Sequence, residues 1–316
     1  MTYVIITDTH FGVKQNSVTW LNSQMDFIYK QFIPYIKSIK DDVTVVHLGD
    51  VFDSRSTIST FVATKVVKAF KDIRDICKEF IVVAGNHDFY SPNSDEVDSI
   101  NLLLGHLNLT IVSKEILIKN GDAFIPWYKY GEALPEDFSG RIFTHADIVT
   151  SQIPDCYKGL NIYSGHMHIP DWKEDKGLYN LGSCYAINFA DANDHRGFHM
   201  IKDKSNLTFI PNVHSIRFWR LFDDDIFDPY IEASIKDWDY LEIYVSQDNL
   251  MTEKYTIKLN EILSDFKNSR VIPKNENSVG MDMEKYEGQN MEDIVYSLIP
   301  ENLREKFEEV LQNIQK

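Results

Sequence analysis

Short apolar runs alternate with longer amphipathic stretches over the first 216 residues of this 316-residue chain. The runs YVIIT (3–7), VTVVHL (43–48) and FIVVA (80–84) are rich in β-branched residues and almost unbroken by polar ones. Strands buried on both faces, as in a parallel sheet, carry this pattern. Residues 18–40 and 57–78 lie between them with the length of helices, so the series reads β-α-β-α-β. Later runs are short and strand-like: LTIV (109–112), EILI (115–118), AFIP (123–126), RIFT (141–144), LNIYS (160–164), GFHMI (197–201) and LTFI (207–210). Two sheets packed face to face, with helices outside, accommodate both halves.

The pattern changes after residues 211–220. YLEIYVS (240–246) alternates as a strand, residues 251–266 have helical spacing, and RVIP (270–273) is a second strand. The predicted organisation is a domain over 1–216, a small α/β cap over 217–274, a polar, glycine-containing linker over 275–290 and a C-terminal helical segment over 291–316. In that segment Leu303, Phe307, Val310 and Ile314 form a single apolar stripe, and Pro300 occupies the first turn. The stripe suits either packing on the cap or docking on a partner.

Composition narrows the class. With 43% hydrophobic and 13% aromatic residues, the chain can bury a sizeable core. Cys77, Cys156 and Cys184 are scattered and form no CxxC, which points to a reducing compartment. The first residues read as a strand rather than a signal peptide, and no apolar stretch approaches the ~20 residues of a membrane span. A cytoplasmic protein without membrane contact is expected. The net charge of −16 argues against a broad basic surface gripping nucleic acid. Residues 217–316 carry 12 basic and 22 acidic side chains, net −10, and the first 216 carry 20 and 26, net −6.

Five strand exits carry the candidate chemistry. VIIT runs into Asp8-Thr9-His10, VVHL into Gly49-Asp50, IVVA into Gly85-Asn86-His87-Asp88, RIFT into His145, and NIYS into Gly165-His166-Met167-His168. Ligands bind at the carboxyl ends of strands in α/β sheets. Each motif alone has a plain structural explanation, a turn or a packed histidine. Their conjunction at five strand exits points to one metal site. Asp8, His10, Asp50, Asn86, His145, His166 and His168 are more donors than one open cation site uses, which suggests two divalent ions. Mixed imidazole, carboxylate and carbonyl donors suit Mn²⁺, Fe²⁺ or Zn²⁺. Two carboxylates against two dications leave a positive site matched to a phosphodiester anion, so phosphate-ester hydrolysis is the natural reaction.

The order D-x-H, G-D-x-x-D, G-N-H-D, a lone His and G-H-x-H resembles the calcineurin-like metallophosphoesterases, and within them the Mre11/SbcD nucleases. GDVFDSR (49–55), IPW (125–127) and DANDHRGF (191–198) resemble the recombination endonuclease subunits of T4-like phages most closely. The resemblance implies a four-layer αββα sandwich followed by the small α/β cap and the C-terminal helix. It implies two ions, Mn²⁺ foremost, with Asp8, His10 and His168 on the first, Asn86, His145 and His166 on the second, and Asp50 bridging. His87 would face the scissile phosphate as a catalytic acid rather than a ligand. Asp88 would orient His87 or cap the turn. Thr144 stands where the family usually has glycine before the lone histidine, with Asp147 as a substitute ligand.

The function implied is a DNA nuclease, exonuclease or endonuclease, acting in repair or recombination with a Rad50/SbcC-like ATPase docked through the C-terminal helix. A homodimer around residues 57–78 and 99–107 is also implied, in the host cytoplasm if the chain is phage-encoded. Two alternatives use the same fold. A phosphoprotein or nucleotide phosphatase would carry arginine at Ser54, glutamate at Asp88 and a later HGG; none is present. A catalytically silent scaffold would have lost ligands that this chain retains. Arg55 and Arg196 are candidates for phosphate contact, Trp127 and Tyr128 for stacking or wall packing, and His47 and His199 for packed positions.

Overall fold

The first three apolar runs form parallel neighbours Thr2–Ile6, Val43–His47 and Glu79–Val83. They lie in a computed structural model that describes residues 2–202 and 207–274. Thr110–Val112 extends this sheet on one side in parallel. Gly197–Lys202 and Thr208–Pro211 close the other, with Gly197–Lys202 antiparallel to both of its neighbours. The second sheet runs Asp171–Lys173, Leu178–Asn180, Ile162–Ser164, Ile142–Thr144, Asp122–Ile125, Leu117–Lys119. Its four central strands are parallel.

Side-chain alternation explains why the first runs are apolar throughout. Tyr3, Ile5, Val46, Ile81 and Val83 point to the second sheet, where they meet Phe124, Phe143 and Tyr163. Their neighbours Val4, Ile6, Val45, Phe80 and Val82 point to the helical layer. Between the sheets Phe124, Phe143, Tyr163 and Tyr179 occupy one register row and stack at 5.1, 5.3 and 4.8 Å, close to the spacing of strands. This aromatic ladder fills the space between the sheets, with Tyr179 half-buried at its end.

The expected mixed α/β fold with sheets flanked by helices is observed. Helix Thr60–Arg74 starts where Ser59 accepts the Val62 N–H and buries Val62, Val66, Ala69, Phe70 and Ile73. The expected helix over 18–40 is divided into Val18–Phe27, a π-helical turn Ile28–Phe32, and Ile33–Ser38. Pro34 lacks an N–H and its ring crowds the carbonyl four residues back, so a wider turn precedes it. Over the second sheet the cover is a long segment with 3₁₀ turns at Trp127–Lys129 and Asp155–Tyr157, anchored by Ile148 and Tyr157.

After the sandwich, Phe218–Phe222, Tyr240–Val245 and Ser269–Pro273 form a three-stranded parallel sheet, and helix Glu253–Asp265 packs on it. The first of these strands sits where the sequence suggested only a boundary. The linker over 275–290 and the C-terminal segment with Leu303, Phe307, Val310 and Ile314 lie outside the described residues. No helix among the described residues is long and apolar enough to cross a membrane.

Candidate metal centre

All five strand exits meet at one end of the sandwich, and four of the polar residues there adopt the left-handed backbone region. Asp8, His10, Asp50 and His166 have φ of 52, 39, 55 and 79°. Such conformations cost energy in non-glycine residues and persist where the surroundings impose them. Glycines permit the close approach. A Cβ on Gly49, at φ +96°, would lie 2.6 Å from the Gly85 nitrogen, and one on Gly165 would lie 2.1 Å from Thr7 Oγ1.

Two triads of donors result. Asp8, His10 and His168 form one, and Asp50, His145 and His166 the other. In the first, Asp8 Oδ1 lies 3.8 Å from both His10 Nε2 and His168 Nε2, which are 3.1 Å apart. In the second, His145 Nε2 lies 3.3 Å from Asp50 Oδ2 and 3.1 Å from Asn86 Oδ1, which is 3.0 Å from His166 Nδ1. Asp50 Oδ2 is also 3.8 Å from His10 Nε2, so this oxygen faces both triads.

The donor set fits cations. Asp8 Oδ2 accepts the Thr7 hydroxyl and the His166 N–H, but Asp8 Oδ1 is buried with no hydrogen-bond partner. His145 Nδ1 donates to the Leu48 carbonyl at 2.6 Å, which leaves the Nε2 lone pair aimed at two further acceptors, Asp50 Oδ2 and Asn86 Oδ1. Converging acceptors repel unless a cation or a proton lies between them. Two nitrogens binding one ion at about 2.1 Å sit about 3.0–3.4 Å apart, which matches the His10–His168 separation.

Protons fill part of that role in the metal-free chain. Burial disfavours a charge on His145, but the Asp50 and Asp8 carboxylates outweigh it and raise the imidazole to about 9. His10 is raised in the same way, by Asp8 and Asp50 against burial. Burial works to raise the carboxyls, yet His145 outweighs it, lowering Asp8 to about 2 and holding Asp50 lower still. Burial lowers His166 and His168 and favours the neutral rings that cations require.

His87 stands beside the triads, its ring 5.1 Å from that of His10 and perpendicular to it. Its N–H donates to Asp50 Oδ1 at 2.8 Å, and its Nδ1 donates to the Asp53 carbonyl at 2.6 Å. Asp53, not Asp88, therefore orients His87. The Asp88 carboxylate accepts the N–H groups of Gly85, Asp50 and Val51 and ties two ligand loops together. Asp147 caps its own turn through Val149, Thr150 and Ser151, so it is no substitute for His145. Arg196 is buried against Asp191 and Asp194 rather than offered to phosphate. Trp127 forms a wall of the site, 4.9 Å from the His166 ring, and Tyr128 packs on Phe89.

A supporting layer lay outside the sequence reading. Gln24 donates to the Thr9 carbonyl at 2.9 Å and to the Tyr185 hydroxyl at 3.0 Å, and that hydroxyl donates to the same Thr9 carbonyl. His47, packed in its strand, accepts the Gly49 N–H at Nδ1 and meets Thr9 Oγ1 at Nε2, which links two ligand loops. One signal was available: Gln24 is a polar residue on the buried face of its helix, beside Leu21 and Met25. His199 is buried between Trp172 and Phe209, as a packed strand residue should be.

The archaeal DNA double-strand break repair protein Mre11 of Saccharolobus solfataricus is 26% identical over 186 residues, 52% of this chain. The match spans about half of that relative, 48% of its length. The crystal structure of phosphopantetheinyl hydrolase (PptH) from Mycobacterium tuberculosis aligns with 65% of this chain and 97% of its own, at 14% identity and a TM-score of 0.38. The calcineurin-like phosphoesterase family profile matches residues 1–215, the stretch that contributes every donor described above. The chain belongs to the calcineurin-like phosphoesterases.

Proposed function

We propose that this phosphoesterase is a two-metal DNA nuclease that hydrolyses phosphodiester bonds in repair or recombination. The observation that carries the reading is the Asp50 carboxylate facing both donor triads, with His87 half-buried at their edge. In this reading Asp8, His10 and His168 hold one divalent ion and Asn86, His145 and His166 the other, with Asp50 between them. Bound there, a pair of ions such as Mn²⁺ would supply Lewis acidity toward phosphoryl oxygens and activate water.

The chain's own part is positioning and proton transfer. The Asp53 carbonyl fixes the proton of His87 on Nδ1, so Nε2 is the atom that exchanges a proton with the reacting phosphate. Trp127 shields one side of His166 from solvent. Arg55, half-buried two residues after Asp53, is the motif-loop cation this reading assigns to a phosphate oxygen.

The DNA substrate is proposed from the partial likeness to an Mre11 repair protein and from the resemblance of the motif loops to phage recombination endonucleases. A chain of net charge −16 grips DNA weakly by itself, so the reading includes a Rad50/SbcC-like ATPase that holds the duplex. It includes a second copy of the chain as well. In the run 102–104, Leu104 packs inward while Leu102 is 76% exposed, beside a helix that leaves Phe61 exposed too.

The deciding experiment assays the purified chain with Mn²⁺ on linear duplex DNA, on single-stranded DNA and on a phosphopeptide. DNA cleavage is expected. Hydrolysis of the phosphopeptide with DNA untouched, even with an ATPase partner added, overturns the nuclease reading in favour of a phosphatase.

A further inference from the structure

A cavity of about 550 Å³ opens where the sandwich meets the three-stranded sheet, and it shares no residue with the metal centre. Its floor is aromatic. Trp20, Phe218 and Tyr240 have ring centroids 5.9, 6.2 and 5.2 Å apart pairwise, with planes tilted by only 20–22°. Its rim is cationic: among the described residues Lys14, Lys267 and Arg270 line it, and no Asp or Glu does. In a chain with 48 acidic and 32 basic side chains, such a wall runs against composition.

Ion pairs do not consume the rim charges, and Lys14 Nζ lies 5.8 Å over the Trp20 ring of the floor. Lys14 and Lys267 are exposed, and neither makes an ion pair among the described residues. Arg270 reaches Glu242, but that one carboxylate also takes Arg220 Nε at 3.0 Å, so the cluster keeps a positive charge. Lys14 begins a left-handed turn, with φ of 55, 58 and 61° for Lys14, Gln15 and Asn16. Asn16 Oδ1 secures the turn by accepting the Ser59 N–H. L-residues keep such a conformation where the fold imposes it, often at binding sites.

We propose that this cavity receives an unpaired nucleotide of a DNA strand, its base on the aromatic floor and its phosphate between Lys14 and Lys267. Aromatic platforms with a basic margin bind single strands without sequence preference. The inference rests on the nuclease reading, and the chain itself connects the two sites. Lys14 follows His10 by four positions. That length spans at most about 14 Å, or about four nucleotides at 3.4 Å each. A strand leaving the metal centre therefore reaches the cavity within a few nucleotides.

The test uses the full chain without added metal and a fluorescein-labelled oligothymidylate, read by anisotropy across a salt series. The double variant K14E/K267E is expected to melt within about 2 °C of the wild type. It should bind at least tenfold more weakly and lose about 0.7 from the slope of log affinity against log salt, the value for one single-strand phosphate contact. Photocrosslinking with 5-iododeoxyuridine in the strand should place the adduct on Tyr240, Phe218 or Trp20. A folded variant with unchanged affinity and slope, or an adduct mapped only outside this cavity, overturns the inference. If the wild type still cleaves DNA, the nuclease reading survives that result. A wild type that hydrolyses bis(p-nitrophenyl) phosphate but does not bind the strand, and leaves DNA uncut even with Mn²⁺ and an ATPase partner added, overturns both.

Discussion

Metal uptake at the second triad should release a proton from His145. The perturbation is pH, and the relevant state is the metal-free chain, in which Asp50 and Asp8 raise this imidazole to about 9. A cation needs the neutral ring, so at pH 7 it must displace a proton held with about two pH units to spare. At 1.36 kcal/mol per unit the competition costs roughly 3 kcal/mol, or about a hundredfold in apparent affinity. Below about 9 the ring is protonated, so affinity at this triad should rise about tenfold per pH unit from 6.5 to 8.5. Asp8 and Asp50 are already ionised in that range and add no protons. Titration calorimetry with Mn²⁺ in buffers of different ionisation enthalpy counts the protons released. His145→Ala should lose the second ion and about one of those protons. Affinity independent of pH between 7 and 8.5, with no proton released, would refute the assignment of His145 as a protonated ligand.

Other outcomes follow from the same geometry. His166→Ala and His168→Ala should each leave one ion bound, so the spin-coupled Mn²⁺ pair signal disappears in both and different single-ion spectra remain; identical spectra contradict the division into two triads. His87→Ala should keep both ions and lower cleavage about 10²- to 10⁴-fold, as expected for a lost general acid; metal analysis showing depletion would make His87 a ligand instead. Gln24→Leu removes donors to the Thr9 carbonyl and the Tyr185 hydroxyl. It should destabilise the chain by about 1–3 kcal/mol in denaturant and weaken metal binding about 10- to 100-fold, and an unchanged midpoint and affinity would show that Tyr185 suffices alone.

Much of the fold was legible because burial on both faces leaves a continuous apolar run. Thr2–Ile6, Val43–His47 and Glu79–Val83 could hardly be read as anything else. The donors were legible for the complementary reason: a polar residue that directly follows such a run stands at a strand exit. Short strands escaped notice. Asp171–Lys173 and Leu178–Asn180 have three residues each, too few for a period, and owe their place to pairing with neighbours. Phe218–Phe222 was absorbed into a boundary because Arg220 interrupts its apolar pattern. The support of the Asp8–His10 loop could not be read locally, since Gln24 and Tyr185 meet across 161 residues. Asp88 stood between two tasks, orienting His87 and capping the turn, and it takes the second. Adjacency to His87 in the chain suggested a shared task, but the carboxylate turns back to three backbone N–H groups.

Each triad draws on both sheets. Asp8 and His10 come from the first and His168 from the second; Asp50 and Asn86 come from the first and His145 and His166 from the second. Ions held there would be cross-ties as much as reagents, fastening one end of a seam whose middle is sealed by the aromatic ladder. Emptying the centre with a chelator would leave that end joined only by hydrogen bonds, such as His145 to the Leu48 carbonyl, and would expose converging carboxylates and rings to one another. Loading with metal thus sets the mechanical integrity of the sandwich rim. An unloaded chain is one that proteases should find at its motif loops first.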